Sequence, residues 1–153
     1  MTSLARAHSG DVRLATDVAI AAQLACLIEA SAPKPGNVSP GRHFADARYE
    51  DFLASAAAIG EPMAGAATRP VGATVRLALE ATARWTRSNT NLGIVLLLAP
   101  LARAALVGAH DDLRGAVRRV LEASTVEDAR DVYAAIRLAA PGSPGTTRSS
   151  RRF

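Results

Sequence analysis

Lys34 is the one lysine in a run built to hold a cation still: Ser31-Ala-Pro-Lys-Pro-Gly-Asn-Val38. Pro33 and Pro35 restrict φ and push their preceding residues towards extended backbone, and Gly36 allows a turn or close ligand approach that a side chain would block. A compact ammonium on such a loop, with the amides of Gly36 and Asn37 beside it, suits a phosphate. A purely structural proline turn accounts for the prolines and the glycine equally well.

A second polar cluster, Ser88-Asn-Thr-Asn-Leu-Gly93, stands directly before Ile94-Val-Leu-Leu-Leu-Ala-Pro-Leu101. The apolar run predicts a helix that is central in the fold. The first N–H groups of a helix lack intrahelical partners, so Asn89, Thr90 or Asn91 is expected to cap them, and any left over form a site for an anion, with Gly93 allowing close approach. An ordinary cap with its spare polar groups in water is the alternative.

The elements that must position these residues read as helices. Asp11 is a cap signal for a helix running to about Ala30, with Leu14, Ile20, Leu24, Leu27 and Ile28 on one apolar face and Ala15, Val18, Ala19, Ala22 and Cys26 on another. Two such faces predict burial between neighbours, and Glu29 falls at the end of the small-residue face, next to the Lys34 loop. Helices are further expected over 49–59, stopped by Gly60 and Pro62; from Arg69-Pro-Val to about Arg87, packed through Val71, Val75, Leu77, Ala78 and Trp85; and from Asn91 through Pro100, which predicts a kink. Two more follow: one from Asp111 to Ala123 with Leu113, Val117, Val120 and Leu121 inward, and one from Ser124 or Thr125 to Ala140 using Val126, Ala129, Val132, Tyr133 and Ile136. Thr125 and Asp128 have capping-box spacing. The pattern is all-α: about six helices in one bundle-like domain over 11–141, with a buried central helix, a flexible N-terminus over 1–10 and a disordered basic tail over 142–153.

Composition sets the outer bounds. The 153 residues are enough for one domain, and with 49% hydrophobic but only 4% aromatic residues the core must be filled by Ala, Leu, Val and Ile. The net charge of +4 comes from scattered arginines with almost no aromatic stacking partners, which argues against nucleic acid. Cys26 has no possible disulfide partner and falls among small apolar residues, so it reads as a buried core residue rather than a catalytic thiol. The run after Asn91 contains Pro100 and Arg103 and is short for a bilayer, and no leader pattern precedes the first helix; a cytoplasmic protein is expected, without membrane contact.

Taken together, Glu29-Ala-Ser-Ala-Pro-Lys-Pro-Gly-Asn-Val38, His43-Phe-Ala-Asp46, Tyr49, Phe52, Ser55, Asn89-Thr-Asn-Leu-Gly93, Asp128 and Asp131-Val-Tyr-Ala-Ala-Ile-Arg137 resemble, in order and spacing, the triphosphoribosyl-dephospho-CoA synthase family. The resemblance implies an all-helical fold and transfer of the 5-triphosphoribosyl group of ATP to the 2′-hydroxyl of 3′-dephospho-CoA, with adenine released. The product is the precursor of an acyl-carrier prosthetic group. Some members carry a histidine and a basic residue where this chain has Asn91-Leu92. The resemblance ends at Gly142, where family members continue with further helices, so a truncated or frameshifted chain is expected.

The implied reaction needs a cationic site with magnesium for the triphosphate, a base for the hydroxyl proton, and a field that tolerates positive charge at the ribose carbon. Lys34, Gly36, Asn37, Asn89, Thr90, Asn91 and Gly93 are the candidates for phosphate and ribose. Glu29 is a candidate base or magnesium-shell carboxylate; His43 and Asp46 are candidates for a base or metal site, Asp46 being the more suitable magnesium ligand. Asp128 and Asp131 lie one turn apart, where a magnesium ion would relieve their repulsion; a helix cap and a solvated charged face explain the same pair. Two rivals keep the fold: another transferase or hydrolase acting on a phosphorylated nucleoside, and a non-catalytic helical remnant that oligomerises through uncovered apolar faces.

Overall fold

The first helix owes its length to the absence of any breaker before Pro33. In the computed structural model, which describes residues 2–45, 47–108 and 112–139, with side chains from residue 10 onward, α1 spans Thr2–Ser31. It therefore starts ahead of Asp11, which lies inside it, and the segment expected to be flexible continues the helix. Gly10, tolerated in a helix at about 1 kcal/mol relative to alanine, does not interrupt it. The tail from 142 and the cap proposed at Asp111 lie outside the described residues.

Six further helices follow: α2 (Tyr49–Ala58), α3 (Gly60–Ala64), α4 (Val71–Ala83), α5 (Leu92–Val107), α6 (Leu113–Glu122) and α7 (Val126–Ala139). Gly60 and Pro62 do end α2, but they open α3, because proline is compatible with a first helical turn. A 3₁₀ turn at Gly65–Ala67 then leads to Pro70, the N-cap residue of α4. Among the described residues there is no strand, only an isolated bridge between Ser39 and Arg42. The fold is all-α.

α4 and α5 form the centre. α5 packs on α1, α4 and α6, while α4 packs most extensively on α7. Small residues permit this closeness: Ala22, Cys26, Ala56, Ala66, Ala78, Ala99, Ala102 and Ala135 all lie in the core, with Ile59, Met63, Val75 and Val95 filling the space between them. At Gly72, a Cβ would come within 2.3 Å of the Asp128 carbonyl oxygen, so α4 and α7 meet backbone to backbone. Arg103 ties the 3₁₀ turn to α5 by donating Nη1 to the carbonyls of Ala66, Ala67 and Arg69.

Apolar periodicity overstates burial at several places. On α1 only the small-residue face is covered; Ile20, Leu24 and Ile28 are exposed. α5 is central, yet Leu97 is 67% exposed, so one stripe of an all-apolar helix stays uncovered. Trp85 lies past the end of α4 and is exposed, as are Leu113, Leu121, Val126 and Tyr133. α6 approaches its neighbours through buried Ala116 instead, and α7 through Ala135. The Gly10–Ser31 part of α1 is long and apolar enough, by length and composition, to cross a bilayer.

Cys26 is buried on α1 as its neighbours predict. Burial, reinforced by the Glu29 carboxylate, pushes its thiol up to about 11. The native protein is expected to leave Cys26 unmodified by a disulfide-exchange reagent at pH 8 while the urea-unfolded chain reacts at once; equal rates would show that the thiol is accessible.

Candidate functional site

The chain leaves α1 at Ser31, whose hydroxyl donates to the Leu27 carbonyl at 2.6 Å and shares a 2.7 Å hydrogen bond with the Tyr49 hydroxyl of α2. The loop that follows turns on Gly36, whose φ of 74° is in the left-handed region that favours glycine, and the Asn37 N–H donates to the Lys34 carbonyl at 3.2 Å. Val38, with no exposed surface, anchors the loop. Lys34 thus sits on a turn closed at both ends. Its Nζ lies 2.5 Å from Glu29 Oε1, and both side chains remain about two-fifths exposed (43% and 44%).

The 84–91 segment arrives from the other side. The Asn89 side chain accepts from the Leu92 N–H at 3.3 Å and caps the first turn of α5. Thr90 is hydrogen-bonded through its hydroxyl to Ser55, a buried serine of α2 that donates to the Asp51 carbonyl or shares its proton with Thr90. Asn91, 5% exposed, occupies the N-cap position of α5 and donates Nδ2 to Thr82 Oγ1 at 2.9 Å. The turn is held by α2 and α4 together.

These two segments share one cavity of about 230 Å³, lined by Glu29, Asn37, Phe52, Asn89, Thr90, Asn91, Leu92, Gly93 and Ile94. Lys34 does not line it, but its ammonium is bonded to Glu29, which does. Two buried polar atoms among these residues have no partner: Asn37 Nδ2, a donor, and Asn91 Oδ1, an acceptor. Native proteins leave few buried polar groups unpaired, so such atoms on one cavity point to a ligand. Gly93 and Ile94 stand in the first turn of α5, where N–H groups have no intrahelical acceptor, and nothing lies within 4 Å of a Cβ placed at Gly93. A 30 Å³ cavity behind Asn89, Thr90 and Asn91 is also lined by Arg87. The arrangement combines a cation, a carboxylate, open helix-start amides and neutral amide groups, which is suited to an anionic, hydroxyl-bearing ligand.

Other residues singled out from the sequence fall elsewhere. His43 is exposed and accepts the Tyr49 N–H on Nδ1 at 3.3 Å, which places it at the start of α2 rather than among the cavity-lining residues. Asp46 lies outside the described residues. Asp128 and Asp131 are on α7, away from this cavity. Asp131 pairs with Arg76 Nε at 2.8 Å, and Asp128 accepts the Gly72 N–H at 2.7 Å while completing a capping box with Thr125. Both carboxylates thus have partners within the protein. Among the described residues no group of three or more His, Cys, Asp or Glu side chains converges on one point. Phe52, Leu92, Ile94, Ser55, Thr82 and Arg87 were not among the predicted site residues, although Phe52, Ser55 and Leu92 stand in the blocks that carry the family resemblance; Thr82, a polar residue inside an apolar helix pattern, carried a local signal of its own.

Burial alone would raise the Asp128 pKa, but hydrogen bonds from the Gly72 N–H and from the Thr125 N–H and hydroxyl, with the Arg103 charge, outweigh it and hold the carboxyl below its usual range. The depressed folded pKa stabilises the protein above the unfolded pKa of about 3.9, and this contribution disappears as pH falls through the folded value. Asp128→Asn is therefore expected to lower the urea midpoint at pH 7, with the gap from wild type closing below about pH 4. A gap that is unchanged between pH 7 and pH 3 would show that the charge does not matter.

A family model described as ATP:dephospho-CoA triphosphoribosyl transferase matches residues 15–152. The match extends past Gly142, where the sequence resemblance was expected to end. No curated protein and no solved structure matches the chain.

Proposed function

From the premise that this chain belongs to the ATP:dephospho-CoA triphosphoribosyl transferase family, we propose that the cavity between the Lys34 loop and the Asn89 turn transfers the 5-triphosphoribosyl group of ATP to 3′-dephospho-CoA. The observation that carries this reading is that one cavity collects Glu29, Asn37, Asn89, Thr90, Asn91 and Gly93, from segments more than fifty positions apart. The reaction breaks the bond between ribose C1 and adenine and forms one between that carbon and the acceptor 2′-oxygen. The acceptor proton leaves through a base, and adenine takes up a proton as it departs.

Each residue has a role in that scheme. Lys34 and the α5 N–H groups hold phosphate oxygens, a task that rewards fixed donors in a site sheltered from water. An arriving phosphate competes with Glu29 for the Lys34 ammonium, which frees the carboxylate to accept the hydroxyl proton and to face the positive charge developing at C1. Asn37 Nδ2 and Asn91 Oδ1 supply one donor and one acceptor for ribose hydroxyls. The cavity lies below the roughly 300–1,000 Å³ usual for a complete small-molecule site, so it is assigned to the ribose and the adjoining phosphate, not to both nucleotides whole.

Magnesium fits this donor set. Glu29, in place of its role as base, would offer the ion a carboxylate, since hard magnesium is commonly held by one or two carboxylates together with substrate phosphates. When bound, it would neutralise charge on the triphosphate. A transferase that draws on ATP and a coenzyme A precursor would work in the cytoplasm.

Product masses test the reaction class. After incubation with ATP, magnesium and 3′-dephospho-CoA, the acceptor is expected to gain one triphosphoribosyl unit with all three phosphates retained. Free ribose triphosphate at an unchanged acceptor mass would identify a hydrolase on the same scaffold, and loss of phosphate from ATP would reject both.

A further inference from the structure

A second cavity system lies along the other end of α5 and owes nothing to the site above. One cavity, of about 440 Å³, is formed by α4, α5, α6 and α7, and its walls include Val75, Leu96, Pro100, Val132 and Ile136. A second, of about 370 Å³, contains Arg103 and Arg119. The two share Val71, Ser124, Thr125 and Asp128 as lining residues, so they adjoin along one face, apolar in the first and cationic in the second. Each exceeds the Lys34 cavity in volume and falls in the range of small-molecule sites.

The cationic end is built rather than incidental. Arg103 is fixed on α5 because its Nη1 donates to three backbone carbonyls of the preceding turn, and this leaves Nε and Nη2 without a protein acceptor among the described residues. Arg119 reaches the same end from α6, with only a 3.7 Å contact to Asp112. The one carboxylate on the cleft, Asp128, already accepts from the Gly72 N–H and the Thr125 N–H and hydroxyl. Arg103 therefore keeps N–H donors free beside Asp128, Arg119 is held only loosely by Asp112, and a fork of N–H donors is suited to a carboxylate or a phosphate.

We infer that this cleft binds a small anionic amphiphile, its acidic head on Arg103 and Arg119 and its aliphatic chain along α5 between Val75, Leu96 and Val132. Charge and apolarity are both used, at opposite ends, as a fatty-acid-like or alkyl-phosphate-like molecule requires. The inference rests on the cleft alone and stands whether or not the transferase reading does.

Titration calorimetry with dodecanoate, dodecyl phosphate and dodecanol, each below its micellar concentration, tests it on the full chain. Dodecanoate or dodecyl phosphate is expected to bind once per chain and at least about tenfold more tightly than dodecanol, and the tighter of the two acids identifies the head. Arg119→Glu, at a residue whose side chain is 60% exposed and which is not needed for packing, should weaken the acid about tenfold and leave dodecanol unchanged. Ala129→Trp, at an exposed position on the cleft wall, should block all three while retaining the wild-type melting curve. Equal affinity for dodecanol and the acids, no effect of either substitution, or no saturable binding to the folded chain would overturn the inference.

Discussion

Lys34→Ala is expected to reduce acceptor-dependent adenine release by at least about 100-fold, as removal of one preorganised donor to a developing or transferred anion commonly does. Stability should barely change. The Lys34–Glu29 pair is more than two-fifths exposed on both sides, and exposed ion pairs contribute about 0–1 kcal/mol. The two readouts therefore separate a binding role from a structural one. Lys34→Arg should restore part of the activity, since a charge remains but the longer, planar group cannot occupy the same place beside Gly36 and Asn37. Comparable losses of activity and of melting temperature in Lys34→Ala would instead mean that the loop is a structural turn and that its lysine merely braces Glu29.

The largest effect on stability is expected at Gly72. An added methyl would overlap the Asp128 carbonyl oxygen at 2.3 Å and its Cα at 2.5 Å, and neither atom belongs to a flexible side chain that could move aside. Gly72→Ala must therefore push α7 away from α4, across the most extensive helix pair in the fold. It would also stretch the 2.7 Å bond from the Gly72 N–H to Asp128. Overpacking of this kind costs about 1–3 kcal/mol, and with backbone on both sides the expected cost is at or above about 3 kcal/mol. Urea unfolding followed by circular dichroism measures it. A loss under about 1 kcal/mol would show that the two helices can separate freely.

Much of this architecture was legible because short-range chemistry decided it. The Thr125–Asp128 box marks the start of α7, Asn89 caps α5 from within the polar cluster that predicts it, and Gly36 adopts the positive φ for which its place between Pro35 and Asn37 prepares it. The two motifs that line the cavity were likewise visible as motifs. Their meeting was not, since it depends on α1 packing beside α5 and on α2 packing against α1 and α4, and no helix announces its partner.

The misreadings share a cause. Periodicity shows which residues are apolar on one face, but coverage of that face is a tertiary property. Ile20, Leu24 and Ile28 of α1 and Leu97 of α5 repeat as a core would and yet are exposed, because alanines and Cys26 on the neighbouring face make the closer packing surface. For Asp128 and Asp131 the sequence left two readings open, a shared cation or a helix cap with a charged face; Asp128 does cap α7, and the placement of α4 adds the Gly72 N–H and Arg76 as separate partners. Gly72 itself, an unremarked glycine in a helix, becomes decisive only once α7 is laid across it.

The proposed transfer through the cavity between the Lys34 loop and Asn91 is tested by chromatographic measurement of adenine released from ATP and magnesium, with and without 3′-dephospho-CoA. Release is expected to require the acceptor and to match its consumption mole for mole. Release that is equally fast without acceptor, or none from a chain that shows a cooperative thermal transition, would contradict it.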